Sequence, residues 1–242
     1  MRKFVVAASL AAAVPAHADL TGKGEAGLVV ASGNTDTETA NAKLALATEI
    51  GKWKHAFGGA VLYSSDEEGK TANRWEVFGQ SDWNFTQRNF LFASGRYEQD
   101  EFSGFEYQAT AALGAGRKFI DNDVTHFVGT VGAGYKFLET RDSIDEDTGL
   151  LIEPGASERE VVARGTLDFD HKFTPSTSLL DKAIVESGQD NTFFQNDLAL
   201  QVKMTDVLAL AVGYSIRHNT NPPGDFKRTD TLTTINLVYE IK

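Results

Sequence analysis

Residues Val207–His218 read VLALAVGYSIRH. Leu208, Leu210, Val212, Tyr214 and Ile216 form one row of large apolar side chains, and Ala209, Ala211, Gly213, Ser215 and Arg217 sit between them. Successive side chains of a β-strand point to opposite faces, so a period of two reads as a strand with one apolar face. Two settings suit such a strand. In a soluble sandwich the apolar row faces a protein core and the small row faces water. In a membrane barrel the apolar row faces lipid and the small or polar row faces the lumen. The whole chain has 242 residues, a formal net charge of −11 and a mean hydropathy of −0.27. Its apolar residues are therefore set out in rows, not in blocks.

The N-terminus favours the second setting. MRKFVVAASLAAAVPAHA places Arg2 and Lys3 before an apolar run from Phe4 to Val14, then Pro15 and the small-residue site Ala16-His17-Ala18. This predicts a secretory signal peptide over residues 1–18, cut between Ala18 and Asp19, with a single barrel domain over 19–242. Without Arg2 and Lys3 the mature chain carries 21 Lys and Arg against 34 Asp and Glu, a formal −13. Phosphate recognition needs basic patches, so nucleic acid is not an expected partner. The absence of cysteine excludes a disulfide scaffold, a thiol nucleophile and a zinc–thiolate site. No other stretch approaches the roughly 18 to 20 apolar residues of a membrane helix, so membrane entry requires a closed barrel.

Twelve alternating segments run to the C-terminus, at about 20–32, 37–50, 53–65, 71–85, 89–100, 104–119, 124–139, 158–173, 178–187, 191–203, 206–218 and 228–242. The connections between them alternate in length. Gly51-Lys52, Thr86 to Arg88, Ile120 to Asp123, Thr174 to Thr177 and Met204-Thr205 are short. The others are often longer and acidic, as in Asp66-Glu67-Glu68 and the stretch from Thr140 to Ser157. Short turns at one end, longer loops at the other and an even strand count are the habit of outer-membrane barrels. Trp53, Trp83, Phe85, Phe119, Phe173 and Tyr239 fall near strand ends, where interfacial girdles sit. The expected fold is all-β, a transmembrane antiparallel β-barrel of about 12 strands, in the outer membrane of a Gram-negative cell. A secreted soluble β protein is the competing reading.

The mature chain opens LTGKGEAGLVVASGNTDTETANAKLALATEIGKWKHAF. The run SGNTDTET after a Gly-rich strand, followed by a strand and W-K-H, resembles the YdiY-like outer-membrane proteins, a family of unknown function that also bears a salt-induced label. The matching positions are Gly33, Asn34, Thr35 and Thr37, with Trp53 and His55 opening the third strand. The ending NLVYEI also fits, whereas Ile241-Lys242 departs from the family's frequent closing Phe. The resemblance implies an outer-membrane barrel that meets lipopolysaccharide and is assembled by the barrel-assembly machinery. It implies no established activity and names no solute.

Alternation points Glu76, Asp82, Lys136, Arg164, Asp168, Asp170, Lys203 and Arg217 into the lumen. Unlike charges there either pair and plug a narrow barrel or line a watery path. Twelve strands lie between the filled eight-stranded and the open sixteen-stranded cases, so strand number leaves both open. Leu210 falls on the lipid face and Ala211 on the lumen face, where a roomy lumen would accept a larger side chain. The loop carboxylates Asp142, Asp145, Glu146 and Asp147 lack calcium-loop spacing and read as a solvated loop. Asn34 and Asp36 read as turn formers. His55, His126, His171 and His218 lie on separate strands. His218 and Ser215, three apart, face opposite sides of an extended strand and form no local dyad. The sequence therefore assigns no catalytic, cofactor or metal residues and favours a non-enzymatic envelope protein, either a narrow solute channel or a structural barrel. A lipid-modifying enzyme is the alternative, and it would need a lipid-facing Ser–His pair or a cation-dependent carboxylate cluster, neither of which the sequence clearly displays.

Overall fold

In the computed structural model, residues 20–31, 37–101, 103–144, 151–223 and 226–241 are described. The signal segment with Ala18 and Asp19, the loop positions Gly33, Asn34 and Thr35, and the carboxylates Asp145, Glu146 and Asp147 lie outside them. The strands are β1 (Leu20–Ala31), β2 (Thr37–Ile50), β3 (Trp53–Asp66), β4 (Gly69–Asn84), β5 (Asn89–Asp100), β6 (Phe105–Asp121), β7 (Thr125–Thr140), β8 (Ser143–Ile144), β9 (Leu151–Glu153), β10 (Ser157–Thr174), β11 (Thr177–Ser187), β12 (Thr192–Lys203), β13 (Leu208–Asn219) and β14 (Thr229–Ile241). Twelve of them form a closed antiparallel barrel in chain order, β14 pairing back onto β1. The remaining two, β8 and β9, make a small hairpin inside the longest loop, a feature the alternation pattern does not announce.

Closure gives each barrel strand a neighbour on both sides, which is the condition for putting sheet into hydrocarbon. The apolar rows then face outward. Val131, Val161, Leu113, Leu200, Leu210, Val212, Ile235 and Leu237 are all exposed, as a lipid-facing belt requires. Aromatic girdles bound it at both ends. Trp53, Trp83, Phe85, Phe119 and Phe173 project outward at the short-turn end. At the other end Trp75, Tyr97 and Tyr107 stack in sequence, with ring centroids 5.3 and 5.7 Å apart, and Tyr135 meets Phe137 at 4.8 Å. The sequence reading found the first girdle and overlooked the second.

The short turns share one device. Thr86, Asn122, Thr174 and Thr205 each open a turn, and the side-chain oxygen of each accepts hydrogen bonds from the backbone N–H groups two and three residues on. Short polar side chains favour turns through this local bonding. In the remaining short turn Gly51 takes φ +61°, a conformation that glycine adopts without strain. At the other end, Pro223 and Phe226 of the β13–β14 loop lie against Gly104 in the β5–β6 turn. Those hairpins stand on opposite walls of the ring, so Pro223 and Phe226 reach across the barrel mouth.

The lumen is not roomy everywhere. Ala211 borders the cavity described below, but it is 5% exposed and packs with Ala209 and Val238, so the room at that position is limited. Ala199 borders the same cavity and is less buried, so it is the better lumen probe. Leu200→Arg on the lipid face should cost about 2 to 4 kcal/mol, whereas its neighbour Ala199→Arg should cost roughly 1 kcal/mol or less. Denaturant unfolding from lipid vesicles measures both, and equal losses would contradict the face assignment.

Candidate functional site

The lumen is built asymmetrically. At the short-turn end of the β5–β7 wall, Phe90 and Phe92 point inward against Ala112, with Val128 packed beside them. Gly114 and Gly116 of β6 make room for these rings. A Cβ at Gly116 would run into the Phe90 ring, and one at Gly114 would come within 2.7 Å of Phe92. This side is packed like a protein core.

Toward the long-loop end, an ionic network crosses the barrel. Glu76 and Glu98 stand directly opposite each other in the β4–β5 ladder. Facing like charges repel, and Arg96 resolves this by donating to Glu76 Oε2 at 2.6 Å and to Glu98 Oε2 at 2.5 Å. Glu98, 2% exposed, also accepts from Arg217 Nη2 at 2.5 Å. Arg217 Nη1 reaches Asp100 Oδ2 at 3.4 Å. Because β5 and β13 lie on opposite walls, the Glu98–Arg217 pair spans the lumen. A second group centres on the buried Glu186, which takes Lys136 Nζ at 3.7 Å, Arg164 Nε at 3.3 Å and the Thr110 hydroxyl at 3.3 Å. Phe193, 2% exposed, lies among the cations, with Arg96, Lys136 and Arg217 over its ring at 5.5, 5.5 and 5.3 Å. Cation–π attraction is strongest in such desolvated settings. The network thus holds four carboxylates and four cations in ion pairs, with Arg74 close by as a further cation.

A cavity of about 490 Å³ remains beside this network. It runs along the β1–β4 and β11–β14 walls, from Thr21, Lys23 and Ala47 near the short-turn end to Leu62 and Arg74 farther up. Its lining carries charge in cross-strand rows. Asp168, Lys182, Asp197 and Ser215 are successive register partners across β10 to β13, and Glu25 opposes Lys43 in β1–β2. Asp197 accepts from Ser215 Oγ at 2.6 Å and from Gln195 Nε2 at 2.8 Å. Lys182 Nζ reaches over the Phe78 ring at 5.9 Å, and both side chains line the cavity.

Of the eight lumen candidates named from sequence, Glu76, Lys136, Arg164 and Arg217 lie in the crossing network. Asp168 borders the cavity. The other three sit toward the short-turn end: Asp82 accepts from Gln80 Nε2 at 2.8 Å, Lys203 pairs with Glu240 at 3.0 Å, and Asp170 has a buried Oδ1. Arg96, Glu98, Glu186, Phe193 and Lys182 were not singled out, although alternation places each on an inward row. Each of the four described histidines bonds a close neighbour instead of converging with another. His126 Nδ1 meets Asp121 at 2.8 Å, and His171 and His218 meet Thr125 and Thr229, each at 2.8 Å. His55 Nδ1 lies 2.8 Å from Ser81 Oγ on the outer face, a pair that sequence spacing could not reveal. Asp142 accepts from the Gly155 amide at 2.7 Å, as a loop-shaping carboxylate does. Among the described residues no group of three or more His, Asp or Glu is placed to hold a metal ion.

Closed antiparallel sheet, apolar belt, paired girdles and charged lumen together define an outer-membrane-type β-barrel. The chain belongs to the family described as protein of unknown function DUF481, which matches residues 24–241. It is 26% identical over 219 residues to the uncharacterized protein YdiY of Escherichia coli K12, covering 89% of this chain and 81% of the relative. Its fold is similar to the translocator domain of the autotransporter NalP from Neisseria meningitidis, with a TM-score of 0.52 and 13% identity over 92% of this chain and 87% of that one. The NanC porin aligns at a TM-score of 0.48 and 11% identity, over 92% of this chain and 98% of its own. At 13% identity, the likeness to the NalP translocator is likeness of fold.

Glu98→Ala leaves Arg96 and Arg217 facing each other without their shared carboxylate. It should cost about 3 to 5 kcal/mol. Adding Arg217→Ala should recover part of that loss, because the two groups act on each other. A double-mutant cycle on unfolding free energy reads the coupling, and simple additivity would show that the bridge across the lumen is not a working contact.

Proposed function

We propose that this protein is a non-enzymatic barrel of the Gram-negative outer membrane that passes small hydrophilic solutes along a narrow lane. The observation that carries the reading is the cavity running lengthwise beside the crossing network, lined by alternating charge and small residues such as Ala45, Ala60, Ala199 and Gly213. In this orientation the short turns face the periplasm and the longer loops face outward. The outer face meets lipopolysaccharide, and assembly uses the barrel-assembly machinery. The charged rows are close to balanced, which favours small polar or zwitterionic solutes over strongly charged ones. The salt-induced label of the resemblance fits such a path and leaves the solute open.

A second reading, a lipid-modifying enzyme, is favoured by the outward pair His55–Ser81 alone. Nucleophilic catalysis also needs a group to orient the base and donors for the oxyanion. His55 and Ser81 are direct partners in the β3–β4 ladder, where backbone amides are committed to strand pairing. Trp53 stacks flat beside His55, with centroids 5.9 Å apart. The pair therefore reads better as part of the interfacial girdle.

Planar-bilayer recording of the purified protein decides between these readings. Discrete current steps that scale with salt are expected, with larger steps in the Glu98→Gln, Arg217→Gln double variant, whose crossing bridge is neutralised. An inserted but silent wild type would overturn the channel reading and leave a structural barrel. Release of fatty acid from phospholipid, lost in Ser81→Ala, would establish the enzyme instead.

A further inference from the structure

The barrel wall is weakest where it closes. Among the described residues, the β1–β14 ladder runs only from Gly22↔Ile241 to Ala26↔Leu237, five pairs, whereas each of the other barrel ladders has ten or more. Above Ala26, β1 continues to Ala31 paired only with β2, and β14 extends back to Thr229 paired only with β13. This stretch lies in the apolar belt, since Leu28 and Ile235 on its two sides are 69% and 53% exposed. Unpaired strand edges are costly in hydrocarbon unless a polar group meets them. Among the described residues, one side-chain hydrogen bond bridges β2 and β14 across this stretch. Asn41 Nδ2 donates to Asn236 Oδ1 at 3.1 Å, passing over Gly27, where a Cβ would collide with both side chains.

Space lies on both sides of this seam. Inside, the lumenal cavity is bordered by Glu25, Asn41, Lys43, Thr234 and Asn236. Outside, an apolar groove of about 720 Å³ crosses β14, β1, β2, β3 and β4, floored by Gly24, Ala26, Ala42 and Gly59 and walled by Tyr239 and Trp75. Glu25 and Lys43, opposed in the ladder, present one negative and one positive charge to the cavity, and among the described residues neither has an ion partner within 4 Å.

We infer that the β1–β14 seam is a lateral portal that binds a single-chain zwitterionic amphiphile from the bilayer. Its acyl chain lies in the outer groove and its head group enters between Asn41 and Asn236 to meet Glu25 and Lys43. Head-group phosphate faces the Lys43 ammonium, and head-group amine faces the Glu25 carboxylate. The inference rests on the barrel spanning a bilayer and does not depend on solute conductance.

The test uses the tryptophan in the groove. The chain has three tryptophans, so Trp53→Phe with Trp83→Phe leaves Trp75 as the reporter. The probe is a lysophosphatidylethanolamine brominated along its chain, titrated into protein held in phosphatidylcholine vesicles. Saturable quenching of Trp75 is expected. Gly24→Leu should weaken it at least about tenfold, because a Cβ there meets nothing within 4 Å and the side chain fills the groove. Gly95→Leu, also with open space at its Cβ but on the β5 wall, should leave it unchanged. Lys43→Ala should weaken it without altering quenching by a brominated fatty alcohol. Equal loss from Gly24→Leu and Gly95→Leu, or none from Gly24→Leu, would overturn the site. Loss from Gly24→Leu with none from Lys43→Ala would overturn the portal, because the head group would then stay outside. Each outcome stands whether or not the protein conducts in a planar bilayer.

Discussion

A polypeptide surrounded by hydrocarbon has no water to satisfy its amides, and this constraint governs the whole structure. It forces the strands into a ring and gives each strand two neighbours. It also fixes which row of side chains meets lipid. Once Leu200, Val212 and Leu237 are outward, the intervening residues are inward whatever their chemistry. The lumen therefore inherits a collection of charges that must be neutralised locally. Arg96 between Glu76 and Glu98, and Glu186 among Lys136, Arg164 and Thr110, are the local solutions. A charged group in a narrow, poorly hydrated space is stable only with partners around it.

The same ring distributes its interior unequally. Aromatic rings fill the β5–β7 side, and glycines on the adjoining strand admit them. Ion pairs cross the middle, and Lys182 reaches over Phe78 in the cavity lining. The opposite side keeps its volume because Ala45, Ala60, Ala199 and Gly213 are small. Packing and open volume thus share one barrel. The residues that separate them are long cations, able to reach far from their own strand.

Most of the barrel was legible from the sequence because the period of two is strict where one face must be apolar. Strand bounds such as Thr37–Ile50 and Thr192–Lys203 follow from that period and from the flanking turn residues. The crossing contacts were not legible. Alternation says that Glu98 and Arg217 both point inward, yet they are 119 residues apart and meet only because the ring sets β5 opposite β13. Arg96 and Glu98 were overlooked because the outer row of β5 is weak, with Ala93 and Gly95 beside Leu91 and Tyr97. Phe193 was overlooked because Phe194 beside it carried the apolar row. Likewise, His55 and Ser81 become neighbours only through the β3–β4 register.

The turns at the short end carry a consequence for how this protein can diversify. Thr86, Asn122, Thr174 and Thr205 each fix a reversal with one oxygen, using residues no more than three positions away. The alignment of those hairpins is thus encoded locally and owes nothing to the loops at the other end. Lengthening or replacing an outer loop leaves each inward and outward row in phase. Descendants of such a chain can exchange their outer surface freely while the wall beneath keeps the same register.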